Sequence, residues 1–154
     1  MEVERKFLVP ETPDLAGTDS DEIEQGYLAI GAEGEVRLRR KGEQLVLTAK
    51  RGSGISRDEA EVELDRESFE GLWPLTEGRR IEKTRYEIAL DGGPTVELDV
   101  YTGVLAGLVV AEVEFGSEED ADAFDGPEWL GREVTDDPRF KNQRLAMDGA
   151  PCSA

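Results

Sequence analysis

Seven segments of the sequence place charged or polar side chains at i and i+2, the spacing that puts both on one face of an extended strand. Glu2, Glu4 and Lys6 share such a face, as do Arg37 and Arg39, Thr48 and Lys50, Glu61 and Glu63, Lys83 and Arg85, Glu97 and Asp99, and Glu112 and Glu114. The opposite faces are mainly apolar: Val3 and Phe7, Val36 and Leu38, Leu47, Val62 and Leu64, Thr84 and Tyr86, Val96, Leu98 and Val100, and Ala111, Val113 and Phe115. The plain alternative is an antiparallel sheet whose charged side meets water. Two features point past it. The charges come largely as like-signed doublets, which neighbouring surface positions avoid, and the doublets alternate in sign between strands as if facing a common centre. Were the sheet to close into a barrel, its lumen would hold at least eight carboxylates and six cations. Such a lumen must be wet, because burying unpaired charge is prohibitively unfavourable. Clustered carboxylates take a hard divalent cation, and arginine and lysine take phosphate oxygens. Together they fit a polyphosphate chelated to a metal ion, the situation in which phosphoryl transfer needs little beyond positioning and charge neutralisation.

The elements that must carry these residues are short strands. Period-two patterning predicts them at Val3–Val9, Gln25–Ile30, Glu35–Lys41, Gln44–Arg51, Arg57–Asp65, Arg80–Asp91, Thr95–Tyr101 and Leu108–Gly116, with turn residues at most junctions. Helical pieces are expected at Glu67–Trp73, at Glu118–Phe124 behind a Ser117 cap, and at Arg139–Met147, where Asp137 can cap and Pro138 suits the first turn. Residues 10–22 form the longest irregular stretch. Trp73, Trp129, Phe69 and Phe124 are read as packing residues, and the glycine stretches 31–34 and 52–54 as hairpin turns. No repeat or linker divides the chain, so residues 1–148 form one domain and 149–154 a tail.

Composition removes whole classes of chemistry. With no histidine among 154 residues there is no Ser-His-Asp or Cys-His relay and no imidazole zinc site, and the lone Cys152 offers no disulfide or thiolate cluster. Any metal is therefore oxygen-bound. Thirty-six acidic against 18 basic residues, a net charge of -18, repel nucleic acid and anionic membranes. A charged N-terminus and the absence of a long apolar run predict a soluble, cytoplasmic protein, monomeric or homodimeric.

The ordered set of motifs resembles the CYTH domain, or triphosphate tunnel metalloenzyme, family. The resemblance rests on Glu2-Val3-Glu4-Arg5-Lys6, Gln25-Gly26-Tyr27-Leu28, Arg37-Leu38-Arg39 followed by Leu47-Thr48-Ala49-Lys50, and Glu61-Val62-Glu63. It continues through Lys83-Thr84-Arg85, Glu97-Leu98-Asp99-Val100-Tyr101, Ala111-Glu112-Val113-Glu114-Phe115, Trp129-Leu130-Gly131 and Lys141-Asn142. A lone Glu-x-Glu-x-Lys is weak; the ordered series covers nearly the whole chain. It implies a β-dominated α+β fold: an eight-stranded antiparallel β-barrel tunnel, helices packed outside and a C-terminal helix at one mouth. It further implies Glu2, Glu4, Glu61, Glu63, Asp99, Glu112 and Glu114 as metal ligands for Mg²⁺ or Mn²⁺. Lys6, Arg37, Arg39, Lys50, Lys83, Arg85 and Lys141 would bind the triphosphate. Tyr27 and Lys50 resemble a pair that helps generate the attacking hydroxide. Without histidine, the base near neutral pH must be a carboxylate, a lysine with a depressed pKa or a metal-bound hydroxide, and Lys50 and the metal remain equal candidates. Glu97 is read as a rim carboxylate or an ion-pair partner of Lys83 or Arg85.

The expected activity is metal-dependent hydrolysis of inorganic triphosphate to pyrophosphate and phosphate, since no aromatic residue is obviously placed to recognise a base. Thiamine triphosphatase and nucleoside triphosphatase are the near alternatives, adenylate cyclase a more distant one, and a non-catalytic polyphosphate-binding module belongs to a different class.

Overall fold

The computed structural model describes residues 3–52 and 58–151. Eight strands form: β1 (Val3–Leu8), β2 (Ser20–Gly31), β3 (Gly34–Lys41), β4 (Gln44–Arg51), β5 (Asp58–Glu63), β6 (Arg80–Ala89), β7 (Thr95–Thr102) and β8 (Val109–Phe115). Three helices join them: α1 (Arg66–Leu72), α2 (Glu118–Ala123) and α3 (Asn142–Asp148). All neighbouring strands pair antiparallel in one sheet, in the order β1-β8-β7-β6-β2-β3-β4-β5. Its two edges are not hydrogen-bonded to each other among the described residues, so the sheet is a curled, open barrel rather than a closed one. Each edge is handled differently. The free edge of β1 is covered by the segment after residue 130: Leu8 N–H donates to the Arg132 carbonyl, Gly131 and Val134 N–H donate to the Leu8 and Lys6 carbonyls, and Phe7 bridges Glu133. The β5 edge carries Asp58, Glu59, Glu61 and Glu63, all exposed, a row of like charge that discourages pairing with another strand.

Alternation sorts the faces as the sequence suggests. On the outside of β1, β7 and β8 a core of Phe7, Val96, Leu98, Ala111, Val113 and Phe115 is roofed by Ala121 of α2, with Phe124 and Trp129 packed against it. Ser117 caps α2 by accepting from Asp120 N–H. On the outside of β2, the 3₁₀ turn Trp73–Thr76 that follows α1 presses against Gly26, where a Cβ would stand 2.5 Å from Thr76 Oγ1. Phe69 is fully buried and stacks on Trp73 at 5.4 Å.

The C-terminal segment plugs one end of the inside. Ile81, Tyr101 and Val110, which point inward by register, pack with Phe140 and Leu145. The expected helix over Arg139–Met147 is interrupted. Asp137 caps a single 3₁₀ turn, Pro138–Phe140; Lys141 is extended, and α3 starts only at Asn142. The break lets Phe140 bury in the plug while Lys141 turns to the cavity above it. The other departure is β2, which begins at Ser20 rather than Gln25. Ser20, Asp21 and Glu22 pair with Tyr86, Arg85 and Thr84 although their own types disfavour strands, because tertiary pairing overrides weak local preference. No helix among the described residues is long and apolar enough to cross a membrane. Glu2, Arg57 and Cys152 lie outside the described residues.

Candidate active site

The curl of the sheet brings seven strands and the C-terminal segment around one cavity of about 730 Å³. Its lining includes Glu4 and Lys6 of β1, Tyr27 of β2, Glu35, Arg37 and Arg39 of β3, Lys50 of β4, and Arg85 of β6. Glu97 of β7, Glu112 and Glu114 of β8, and Lys141, Asn142 and Gln143 complete it. Register makes two walls. Glu4 stands opposite Glu114, Lys6 opposite Glu112, and Glu112 opposite Glu97, so β1, β8 and β7 form an acidic wall. Tyr27 stands opposite Arg37, Gln25 opposite Arg39, and Arg37 opposite Thr48, so β2, β3 and β4 form a wall led by cations.

Counter-charge within each wall is incomplete: each carries one inward ion of the opposite sign, Lys6 among the acids and Glu35 among the cations. The Glu4 carboxyl is pushed up to about 7, first by partial desolvation among the cavity atoms, then by Glu112, with Glu114 and Glu97 adding and Lys6 opposing. Glu4 is exposed by surface area, so water reaches it and screens part of this repulsion. Across the cavity, burial pulls the Arg39 guanidinium down from its ordinary value, and Arg37 and Arg85 pull it further. Its Nε donates to Gln25 Oε1 at 2.8 Å, a neutral partner that leaves the charge uncompensated. Lys6 is better matched: its Nζ lies 3.4 Å from Glu112 and donates to the Phe140 carbonyl.

Arg85 is held from behind. Asp99, with no exposed surface, accepts from Lys83 Nζ at 2.8 Å and from Arg85 Nε and Nη2 at 2.8 and 2.9 Å. Burial opposes ionisation of Asp99, but Lys83 and Arg85 outweigh it and hold the carboxyl below its ordinary range. Burial also opposes the Arg85 charge, and the Asp99 hydrogen bonds and charge reverse that and raise its pKa. Glu97 adds a contact to Arg85 Nη1 at 3.0 Å while also lining the cavity, so it is both rim carboxylate and ion-pair partner. This bears on two of the expected site residues. Both Asp99 oxygens face cations in this structure, and Lys83, 2% exposed, faces Asp99 rather than the cavity. The pair orients Arg85.

Tyr27 is buried, and its pKa is pushed up to about 12, first by burial and then by Glu35. It stays a phenol at working pH, accepting from Gln25 Nε2 at 2.7 Å. Lys50 lines the same cavity, 4.0 Å from Glu59. Gly34 lets β3 approach β4 closely at Lys50, because a Cβ there would run into the Lys50 backbone carbonyl. Glu61 and Glu63 are set apart. By register they face inward beside Thr48 and Val46, yet β5 is an open edge with no strand beyond it, and both are exposed and outside the cavity lining. Sequence reasoning assigned no role to Gln25 or Glu35, although each stands two residues before a singled-out residue and so shares its face.

Among the described residues, no three carboxylates stand at metal-ligating spacing. The acidic wall nevertheless fits a hard cation by its chemistry: Glu4, Glu112 and Glu114 supply oxygen donors, and the like charge of Glu112 and Glu114 adds to desolvation in raising Glu4.

A curled antiparallel sheet holding opposed acidic and basic walls around one cavity is chemically suited to a multiply charged anion together with a cation. Comparison with known proteins agrees with that class. The CYTH domain model matches residues 1–141. The chain is 48% identical to an inorganic triphosphatase of Nitrosomonas europaea over 95% of its own length and 97% of that protein. It is 39% identical to an inorganic triphosphatase of Acetivibrio thermocellus over 96% and 94% of the two chains. A crystal structure of an inorganic triphosphatase superposes with a TM-score of 0.82 at 45% identity, covering 98% of this chain and 97% of the other. The chain belongs to the CYTH domain family.

Proposed function

We propose that this chain hydrolyses inorganic triphosphate to pyrophosphate and orthophosphate with a divalent cation, Mg²⁺ or Mn²⁺. One observation carries the reading: two walls of mainly opposite sign face each other across a single cavity. A triphosphate with its cation complements both. The names of the two relatives and the similar structure support the inorganic substrate.

In this reading Arg37, Arg39 and Arg85 grip phosphate oxygens, with Lys6, Lys50 and Lys141 as further charges around the cavity. Lys83 and Asp99 fix the Arg85 guanidinium, so that it does not reorganise as charge builds on the transferring phosphoryl group. Gln25 links Arg39 to Tyr27, and Tyr27 of β2 and Lys50 of β4 orient the attacking water from either side of β3. Glu4, Glu112 and Glu114 would hold the cation, with Glu2 the remaining signature carboxylate. When bound, the ion neutralises charge developing on the phosphoryl oxygens.

The test is incubation with triphosphate, thiamine triphosphate or ATP, each with Mg²⁺ or Mn²⁺. Orthophosphate release, fastest from triphosphate and abolished by chelator, supports the reading. Cyclic AMP with pyrophosphate, or binding without turnover, contradicts it.

A further inference from the structure

Five carboxylates line the cavity, and four of them, Glu4, Glu97, Glu112 and Glu114, belong to the acidic wall. The fifth is out of place. Glu35 lies on β3 beside the cations, two residues before Arg37 on the same face and opposite Lys50 in register. A negative charge among groups that grip a polyanion weakens substrate binding, so its presence calls for another task.

The local geometry suggests which. Glu35 Oε2 is buried and has no hydrogen-bond partner, and neither has the buried Nε of Arg37. Arg37 Nη1 lies 3.8 Å from that oxygen, too far for a hydrogen bond. Its surroundings are the groups already placed near the reacting end of the anion. Arg37 shares its strand, Tyr27 approaches from β2 closely enough for the Glu35 charge to raise the phenol's pKa, and Lys50 faces it from β4, with Glu59 of β5 on the far side of Lys50. A carboxylate accepts hydrogen bonds and can take a proton from water.

We infer that Glu35 is the catalytic carboxylate that aligns the attacking water and takes its proton. Water oxygen bonds to the terminal phosphorus, the bond from that phosphorus to the bridging oxygen breaks, and pyrophosphate leaves with the electron pair. The water proton passes to the Glu35 carboxylate, which returns it to solvent after orthophosphate departs. Tyr27 and Lys50 donate to the water and to phosphate oxygens.

The inference rests on the triphosphatase reading, and the experiment separates the two. Steady-state kinetics on triphosphate are measured for wild type, Glu35→Gln and Glu35→Asp over a range of pH. Glu35→Gln lowers kcat by about 100-fold or more, the usual contribution of a general base. It leaves KM unchanged or lower, since a repulsive charge has gone. Glu35→Asp regains part of kcat. A kcat for Glu35→Gln within about threefold of wild type, or a loss that appears as raised KM, makes Glu35 only a prop for Arg37 and overturns the inference. Should Glu35→Gln not fold, Glu35→Asp carries the test: a kcat equal to wild type then refutes it. Wild-type protein that releases no orthophosphate refutes the functional reading itself.

Discussion

Replacing Asp99 by asparagine removes one carboxylate and leaves two cations facing a neutral group where water does not reach. Asp99 has no exposed surface and Lys83 is 2% exposed, and three hydrogen bonds of 2.8 to 2.9 Å join Asp99 to Lys83 and Arg85. Breaking a buried pair on one side costs about 3–5 kcal/mol. Each kcal/mol moves the midpoint of a domain this size by about 2–4 °C, so Tm is expected to fall by roughly 6–20 °C. The measurement is thermal and urea unfolding at neutral pH in chelator, where metal binding contributes nothing. Lys83→Met alone also destabilises, and with Asp99→Asn the loss is smaller than the sum of the two, since the partners are removed together. The pH dependence has a definite sign. Because the folded carboxyl is held below its ordinary value, its stabilisation is present above that ordinary value and is lost as pH falls through the folded one. An Asp99→Asn protein with unchanged Tm in chelator and no metal-dependent activity would refute this, and would return Asp99 to the metal ligands.

Three further outcomes follow from the two walls. Because the Glu4 carboxyl is raised to about 7, the folded state binds more protons than the unfolded one between 4.5 and about 7; metal-free stability at this group therefore falls as pH rises through that window, and Glu4→Gln flattens the slope in pH-dependent denaturation. Arg39→Ala lowers kcat/KM for triphosphate by about 10–100-fold, as loss of a charge-assisted phosphate contact should, and an unchanged value in steady-state kinetics places Arg39 off the substrate. Gln25→Leu leaves Tyr27 and Arg39 without the groups they bond, at a stability loss of about 1–3 kcal/mol measurable by urea titration, together with weaker triphosphate binding.

Much of this arrangement is legible in the chain because period-two spacing is itself geometric: once Arg37 and Arg39 are on a strand they must share a face, and the same holds for Glu112 and Glu114. Capping by Ser117 and Asp137 is legible for the same local reason. Depth within the sheet is not. Nothing in Glu97-Leu98-Asp99 distinguishes a carboxylate that lines the cavity from one that anchors Lys83 and Arg85 beneath it, because that depends on which residues β6 places opposite. Edge position is equally hidden: Glu61-Val62-Glu63 reads like Glu112-Val113-Glu114, yet β5 ends the sheet while β8 lies inside it. The cover over β1 from residues 131–134 has no strand pattern, and the break at Lys141 answers to the burial of Phe140 rather than to helix propensity. Gln25 and Glu35 were within reach, since spacing alone puts them on the inward face.

Anomalous diffraction from crystals soaked with Mn²⁺ and triphosphate tests the central claim most directly. The account expects manganese at the wall of Glu4, Glu112 and Glu114, with phosphates spanning the cavity to Arg37, Arg39 and Arg85. Manganese on the exposed acids of β5, or triphosphate on the outer surface, would contradict it.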